Sequence, residues 1–236
     1  MVREFLLFID TEASTLPIKW DRPYSTKGNW PCIVQLSWII FKSDGSEVKH
    51  ENYFIKDEDI TISSSATKVH GITREMIDEK GYARKYVLSL LSNDIQQYQP
   101  LVVGHFIELD FHVVGADAYR AGIPNPLANS PLFCTMLATA HLVQNPAKKF
   151  LKLGDLYSFL FNTSLASQHN ALEDARATAM CFFEILKRRQ LDDEKIEMQI
   201  KFLKEPTNNN SKGCSIILLA IFLLFIIAIT FLWTNG

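Results

Sequence analysis

Acidic and imidazole side chains occur where segments of this chain change structure, and together they could bind a metal and move a proton. Asp10 and Glu12 end the apolar run FLLFI and, two residues apart on a strand, point to the same side of a sheet. Two carboxylates this close repel each other, and a divalent cation would neutralise both. An exposed strand end would also tolerate the pair, so the spacing alone leaves both interpretations open.

Further candidates lie at the starts of two later helices. Asp110 follows a second apolar strand, where by itself it could simply be an acid favoured by a helix dipole. His169 and Asp174 lie in HNALEDARAT, and on one helix they would diverge by about 140°. We therefore place His169 on the preceding loop, as a general base beside a metal ligand. Alternatively, Asn170 caps the helix and His169 is a solvated loop residue.

The elements that must position these residues predict a mixed α/β sheet covered by helices. Apolar runs and alternating segments predict strands at 5–10, 33–41, 48–55, 101–104 and 132–134. Helical spacing predicts helices at 82–98, 110–121, 135–143, 151–161 and 171–189. Three strands followed by alternating helices and strands are typical of such a mixed sheet.

Composition limits the class of protein. The 236 residues, 47% of them apolar, suffice for one domain of ordinary size. A net charge of −2 excludes a broadly basic surface that wraps nucleic acid, so any such partner must bind at a local site. The 4 cysteines show no paired spacing and the N-terminus has no leader, which indicates a reducing compartment.

The C-terminal segment differs from the rest of the chain. Residues 215–233 are almost entirely apolar, and as a helix they would extend roughly 28 Å, close to the thickness of a bilayer core. We predict a transmembrane anchor at 214–233, a charged helical extension and flexible linker at 191–213, and a catalytic domain at 1–190. Lysines upstream of the anchor predict a single-pass membrane protein with its domain in the cytoplasm. A buried core helix is the alternative.

In chain order, D-x-E, a single Asp and H-x4-D resemble the three motifs of the DEDDh (DnaQ-like) 3′–5′ exonucleases. The resemblance extends over about residues 4–190 and includes FIDTEAS, NWPCIVQLSW, VHGIT, VVGHFIELD and HNALEDARAT. It implies a ribonuclease H-like fold. It also implies that Asp10 bridges two Mg²⁺ or Mn²⁺ ions, with Glu12 and Asp174 on one ion, Asp110 on the other and His169 as the general base.

The resemblance also implies a binding site for the 3′ end of nucleic acid. The backbone at Ala13 and Ser14 would approach the terminal nucleotide, and Leu16 and Ile72 would pack against bases. Leu16 and Ile72 could equally be ordinary core residues.

The sequence departs from the family pattern near these residues. Thr15 stands where the family has glycine, and Phe106 replaces an asparagine, which predicts an altered pocket. The long loop at 15–31 carries aromatic residues that either stack on a strand or fold the loop down onto the domain.

We therefore predict a membrane-tethered, metal-dependent 3′–5′ exonuclease that releases nucleoside monophosphates from single-stranded or frayed ends. The alternatives are an RNA-trimming or oligoribonuclease-type enzyme and a non-catalytic nucleic-acid-binding module.

Overall fold

A five-stranded mixed sheet organises the part of the chain that the computed structural model describes, residues 3–143, 149–166 and 168–204. Its spatial order is β3-β2-β1-β4-β5, with β1 antiparallel to β2, β2 antiparallel to β3, and β1, β4 and β5 mutually parallel. The strands are β1 (Phe5–Ala13), β2 (Ile33–Lys42), β3 (Glu47–Phe54), β4 (Leu101–Gly104) and β5 (Leu132–Cys134). The predicted mixed α/β sheet is confirmed.

Helices cover both faces of this sheet. They are α1 (Ser64–His70), α2 (Arg74–Lys80), α3 (Arg84–Tyr98), α4 (Ile107–Ala121), α5 (Thr135–Ala138), α6 (Leu153–Phe161), α7 (Ala171–Lys187) and α8 (Asp193–Lys204), with a 3₁₀ turn at Ala140–Leu142. The sequence analysis did not predict α1 and α2.

Strand β1 is central because both of its faces are apolar and both are covered. Leu6 and Phe8 pack in one cluster with Phe182 of α7, whereas Leu7 and Ile9 pack in a second cluster that includes α3 and α4. All four of these strand side chains are fully buried. A strand buried on both sides has little freedom to shift its register, so the residues at its carboxyl end are held in fixed positions.

Helix α8 docks on the domain at edge strand β5. Ile196 and Ile200 are buried in the cluster that contains Leu6 and Phe8. The side chain of Gln199 accepts a hydrogen bond from the Cys134 amide at 2.6 Å and donates one to the Cys134 carbonyl at 3.3 Å. The charged segment after residue 190 therefore closes an otherwise open sheet edge.

The expectation of a membrane-spanning helix in the fold is wrong for the described residues. No helix among residues 3–143, 149–166 and 168–204 combines the length and apolar character needed to cross a bilayer. Segment 214–233, on which that expectation rested, lies outside the described residues. The predicted membrane location with a cytoplasmic domain, which rested on that segment, has no support among the described helices.

Candidate active site

The carboxyl end of β1 presents two acids to the face of the sheet that α7 covers. Asp10 and Glu12 have the same side-chain parity as Leu6 and Phe8, which pack towards α7. In the register with β2, Asp10 lies opposite Ser37 and Glu12 lies opposite Gln35. Only 8% of Glu12 is exposed. The acids are thus held by a strand whose side chains from Leu6 to Ile9 are locked in the core.

Asp110 reaches the same end of the sheet from α4. Strand β4 runs parallel to β1, so the helix that follows it begins beside the carboxyl end of β1. The chain turns into α4 through Phe106, whose φ of 72° lies in the left-handed region. Asp110 is buried in the first helical turn, and its Oδ1 accepts a hydrogen bond from Thr11 Oγ1 at 2.8 Å. Thr11, which lies between Asp10 and Glu12 in the sequence, therefore holds the Asp110 carboxylate in place.

Asp174 and His169 come together at the start of α7. The side chain of Asn170 caps the helix by accepting hydrogen bonds from the Leu172 and Glu173 amides. His169 precedes the cap in a left-handed conformation, φ 63°, and its amide donates to Asp174 Oδ2 at 2.9 Å. The predicted loop position of His169 thus coexists with the alternative role of Asn170 as the cap.

One ligand atom from each of Glu12, His169 and Asp174 lies within 4.8 Å of the other two. Glu12 and Asp174 are buried, whereas His169 is exposed. Among the described residues, none donates a hydrogen bond to the buried Oδ1 of Asp174. An unpartnered buried carboxylate oxygen beside a second carboxylate and an imidazole suits a cation, so these residues fit a divalent metal ion.

The pKa of Asp10 depends on all three of the other acids. Burial raises the pKa of Asp10 well above its usual value, and repulsion from Asp110, Asp174 and Glu12 raises it further. Burial, followed by repulsion from Asp174 and Asp110, raises the pKa of Glu12 to about 8. Without a cation, the four carboxylates therefore disfavour their own ionisation.

The two acids that lead helices show the same effect to a smaller degree. Burial raises the pKa of Asp110 to about 7, although the hydrogen bond from Thr11 opposes the rise. Burial raises the pKa of Asp174 to about 6, against the hydrogen bond from the His169 amide and the nearby imidazole. Hydrogen bonds to the charged form thus partly prepare these two carboxylates for binding a cation.

The residues predicted to bind the nucleotide differ in accessibility. Leu16 is 70% exposed, whereas Ile72 is 2% exposed and belongs to the core. Ser14 is buried, and its Oγ accepts a hydrogen bond from the Cys32 amide. Ala13 is half-buried at the end of β1. Of the two apolar side chains, only Leu16 offers a surface to a ligand in this conformation.

His70 is a neighbour of the site that the sequence analysis missed. Burial lowers its pKa and nearby His169 lowers it further, while the Ala13 carbonyl opposes that fall. Its Nδ1 accepts a hydrogen bond from the Ile72 amide at 2.9 Å, which leaves Nε2 to carry the proton in the neutral ring. His70 lies in the segment VHGIT, but the sequence analysis assigned a role only to Ile72 of that segment.

The loop at 15–31 folds down onto α4. Trp30 stacks on His112 with ring centroids 4.9 Å apart, and Tyr24 Oη lies 3.0 Å from His112 Nδ1. Trp20 contacts Phe106 at the start of α4, at a centroid distance of 5.7 Å. These aromatic residues mainly hold the loop beside Asp110, which agrees with the second of the two interpretations of the loop.

Comparisons with known proteins point to one family. A family model described as Exonuclease, of the RNase T type, matches residues 7–182. A comparison with curated protein sequences gave no match.

Solved structures of similar fold include a 3′-exonuclease studied for 3′-end recognition of a histone mRNA stem-loop. It is 11% identical with a TM-score of 0.63, and the match covers 80% of this chain and 84% of that one. E. coli exonuclease I in complex with a dT13 oligonucleotide is 16% identical with a TM-score of 0.65, covering 85% of this chain and 44% of that one. This chain therefore spans less than half of exonuclease I.

Proposed function

This chain belongs to the RNase T-type, DnaQ-like exonuclease family, and from that membership we propose that it is a metal-dependent 3′–5′ exonuclease. It would hydrolyse phosphodiester bonds at single-stranded or frayed 3′ ends and release nucleoside monophosphates. The observation that carries the proposal is the convergence of Asp10, Glu12, Asp110 and Asp174 from three separate segments, with His169 beside them.

The four carboxylates would hold the metal through oxygen ligands, which favours Mg²⁺ or Mn²⁺ over softer ions. Two such ions would offset four negative charges, lower the pKa of the attacking water and stabilise the charge that develops on the phosphate. The unpartnered Oδ1 of Asp174 supports this assignment, because a buried carboxylate oxygen is costly without a partner.

His169 would accept the proton of the attacking water. Its ring reaches to within 4.8 Å of carboxylate oxygens of Glu12 and Asp174, yet the residue is exposed and can pass the proton to solvent. Its backbone is fixed by the hydrogen bond from its amide to Asp174. The same carboxylate would thus bind metal and hold the base in place.

Exposed Leu16, on the loop at 15–31, would contact the terminal bases. That loop is packed on α4 by its aromatic residues, so Leu16 stands on a supported surface. Contacts of this kind tolerate any base, as an exonuclease that removes successive nucleotides requires.

The test is hydrolysis of matched DNA and RNA oligomers labelled at either end. With Mg²⁺, we expect a 3′-labelled strand to give labelled mononucleotide and a 5′-labelled strand to give a ladder. Activity should vanish in EDTA and in Asp10→Asn, and should remain in the control Asp44→Asn, an exposed acid on the β2–β3 turn. Release of the 5′ label as mononucleotide before any ladder forms, or hydrolysis that survives EDTA, would contradict the proposal.

A further inference from the structure

Uncharged polar side chains lie beside the catalytic acids on the same face of the sheet. Ser37 is opposite Asp10, Gln35 is opposite Glu12, and Asn52 of β3 is opposite Ser37. Gln35 is 1% exposed and Ser37 is fully buried. Buried polar groups need partners, and the side chain of Asn52 supplies one to each of these two residues.

Both side chains on β2 donate their hydrogen bonds towards Asn52 on β3. Asn52 Oδ1 accepts from Ser37 Oγ at 2.8 Å and from Gln35 Nε2 at 2.9 Å. Because Nε2 of Gln35 is committed to Asn52, its Oε1 faces the other way. That oxygen accepts a hydrogen bond from the amide of Ala171, the first residue of α7, at 3.2 Å.

This bond completes the amino end of α7. The first amides of a helix have no partner within it. The side chain of Asn170 satisfies the Leu172 and Glu173 amides, and Gln35 satisfies that of Ala171. Asn170 lies in the same segment as the helix, whereas Gln35 is part of the sheet. Gln35 therefore joins this end of the helix to β2 by a hydrogen bond.

We propose that Gln35 is a positioning residue for the reaction. It anchors the start of α7 to the strand beside Glu12, and so sets where Asp174 and His169 lie relative to the acids of β1. Its effect on hydrolysis rests on the proposed function, whereas its effect on the helix end does not. A neutral amide suits this place because it accepts a hydrogen bond without adding a charge next to four carboxylates.

Two substitutions of Gln35 distinguish the effect of losing its hydrogen bonds from the effect of changing the size of its side chain. Gln35→Met removes both polar groups at nearly constant length, while Gln35→Glu keeps an oxygen that accepts from Ala171. The matched control is Gln199→Met, which also removes a glutamine bonded to backbone, but at β5 on the far edge of the sheet.

The full-length chain is measured in two ways. Amide hydrogen exchange, without added metal or substrate, should be at least about tenfold faster over 168–175 in Gln35→Met, with β4 unchanged. With Mg²⁺ and a labelled strand, the same variant should lose about 10–100-fold in kcat with little change in KM. Gln35→Glu should recover most of the slow exchange, because its oxygen still accepts from Ala171, but little of kcat, because it adds a charge beside the four carboxylates. Gln199→Met should alter neither.

The outcomes distinguish this proposal from the proposed function. If Gln35→Met exchanges over 168–175 as the unmodified protein does, or Gln199→Met lowers kcat as much, the positioning role is refuted. If the unmodified protein fails to hydrolyse either nucleic acid, the proposed function fails, and the exchange over 168–175 alone then decides whether Gln35 anchors the helix.

Discussion

Replacing Glu12 with glutamine should stabilise the metal-free protein, and the gain should grow with pH. The reason is that burial and the neighbouring acids raise the pKa of Glu12 from 4.5 to about 8 in the folded chain. Between those two values the folded state holds a proton that the unfolded state has released. Stability is therefore lost as pH rises through this window, and it is least affected below pH 4.5.

The magnitude follows from the width of that window. Each unit of pKa difference corresponds to about 1.4 kcal/mol, so the raised pKa of Glu12 lowers the free energy of unfolding by about 3 kcal/mol at pH 7 and about 1 kcal/mol near pH 5. A neutral glutamine avoids this cost. Since protonation of one carboxyl also relieves its neighbours, we expect a net gain of about 1–3 kcal/mol at pH 7.

The assay is urea unfolding in EDTA at several pH values, compared with Glu197→Gln. Glu197 is exposed on α8, and its replacement should change the free energy of unfolding by less than about 0.5 kcal/mol. Excess Mg²⁺ should stabilise the unmodified protein and reverse the order of the two, because a ligand that binds only the folded state stabilises it. A Glu12→Gln protein that is less stable in EDTA, or whose gain does not vary with pH, would refute the reasoning.

Substitutions at three further positions test the support of the site. Thr11→Val removes the hydrogen bond to Asp110 and should weaken Mn²⁺ binding by about 10–100-fold in calorimetry; unchanged affinity would exclude that role. Gly115→Ala would place a Cβ 2.6 Å from Tyr24 Oη and should cost about 1–3 kcal/mol in thermal unfolding, unless the loop at 15–31 moves freely. Asn170→Ala should lower the free energy of unfolding in urea by about 1 kcal/mol, because it removes the cap of α7. Asn170→Asp should lower it much less, because aspartate can still cap the helix; equal losses in the two variants would contradict capping.

The central part of the sheet could be predicted because β1 and β2 are long and largely apolar. β1 lies between two helical layers, so its interior is a continuous apolar run, and β2 and β3 are joined by a turn with clear turn chemistry. Helices α1 and α2 could not be found by periodicity because each has only seven residues. They are defined by their ends instead, with Ser63 and Thr73 as N-terminal caps.

The site was only partly accessible from sequence. The acids could be proposed because their residue types and the order of their motifs can be read directly from the sequence. The left-handed backbone of His169 and the bond from Ala171 to Gln35 could not, since the latter joins residues 136 apart. The membrane location predicted from the apolar run at 215–233 has no support from the described helices, and the run itself lies outside the described residues.

The arrangement of charge around α7 indicates why the acids are held so firmly. Asp10 and Glu12, whose pKa values are raised by burial and by the neighbouring carboxylates, would move away from the other acids if their supports allowed it, because separation would restore their hydration. Asp10 and Glu12 cannot move because β1 is packed on both faces, and Thr11 restrains Asp110. Asp174 lies in the first turn of α7, which packs on the sheet and is held at its amino end by hydrogen bonds to Asn170 and Gln35. Because Asp174 is on a helix and not on β1, the bond between Gln35 and Ala171 bears directly on its position relative to Asp10 and Glu12.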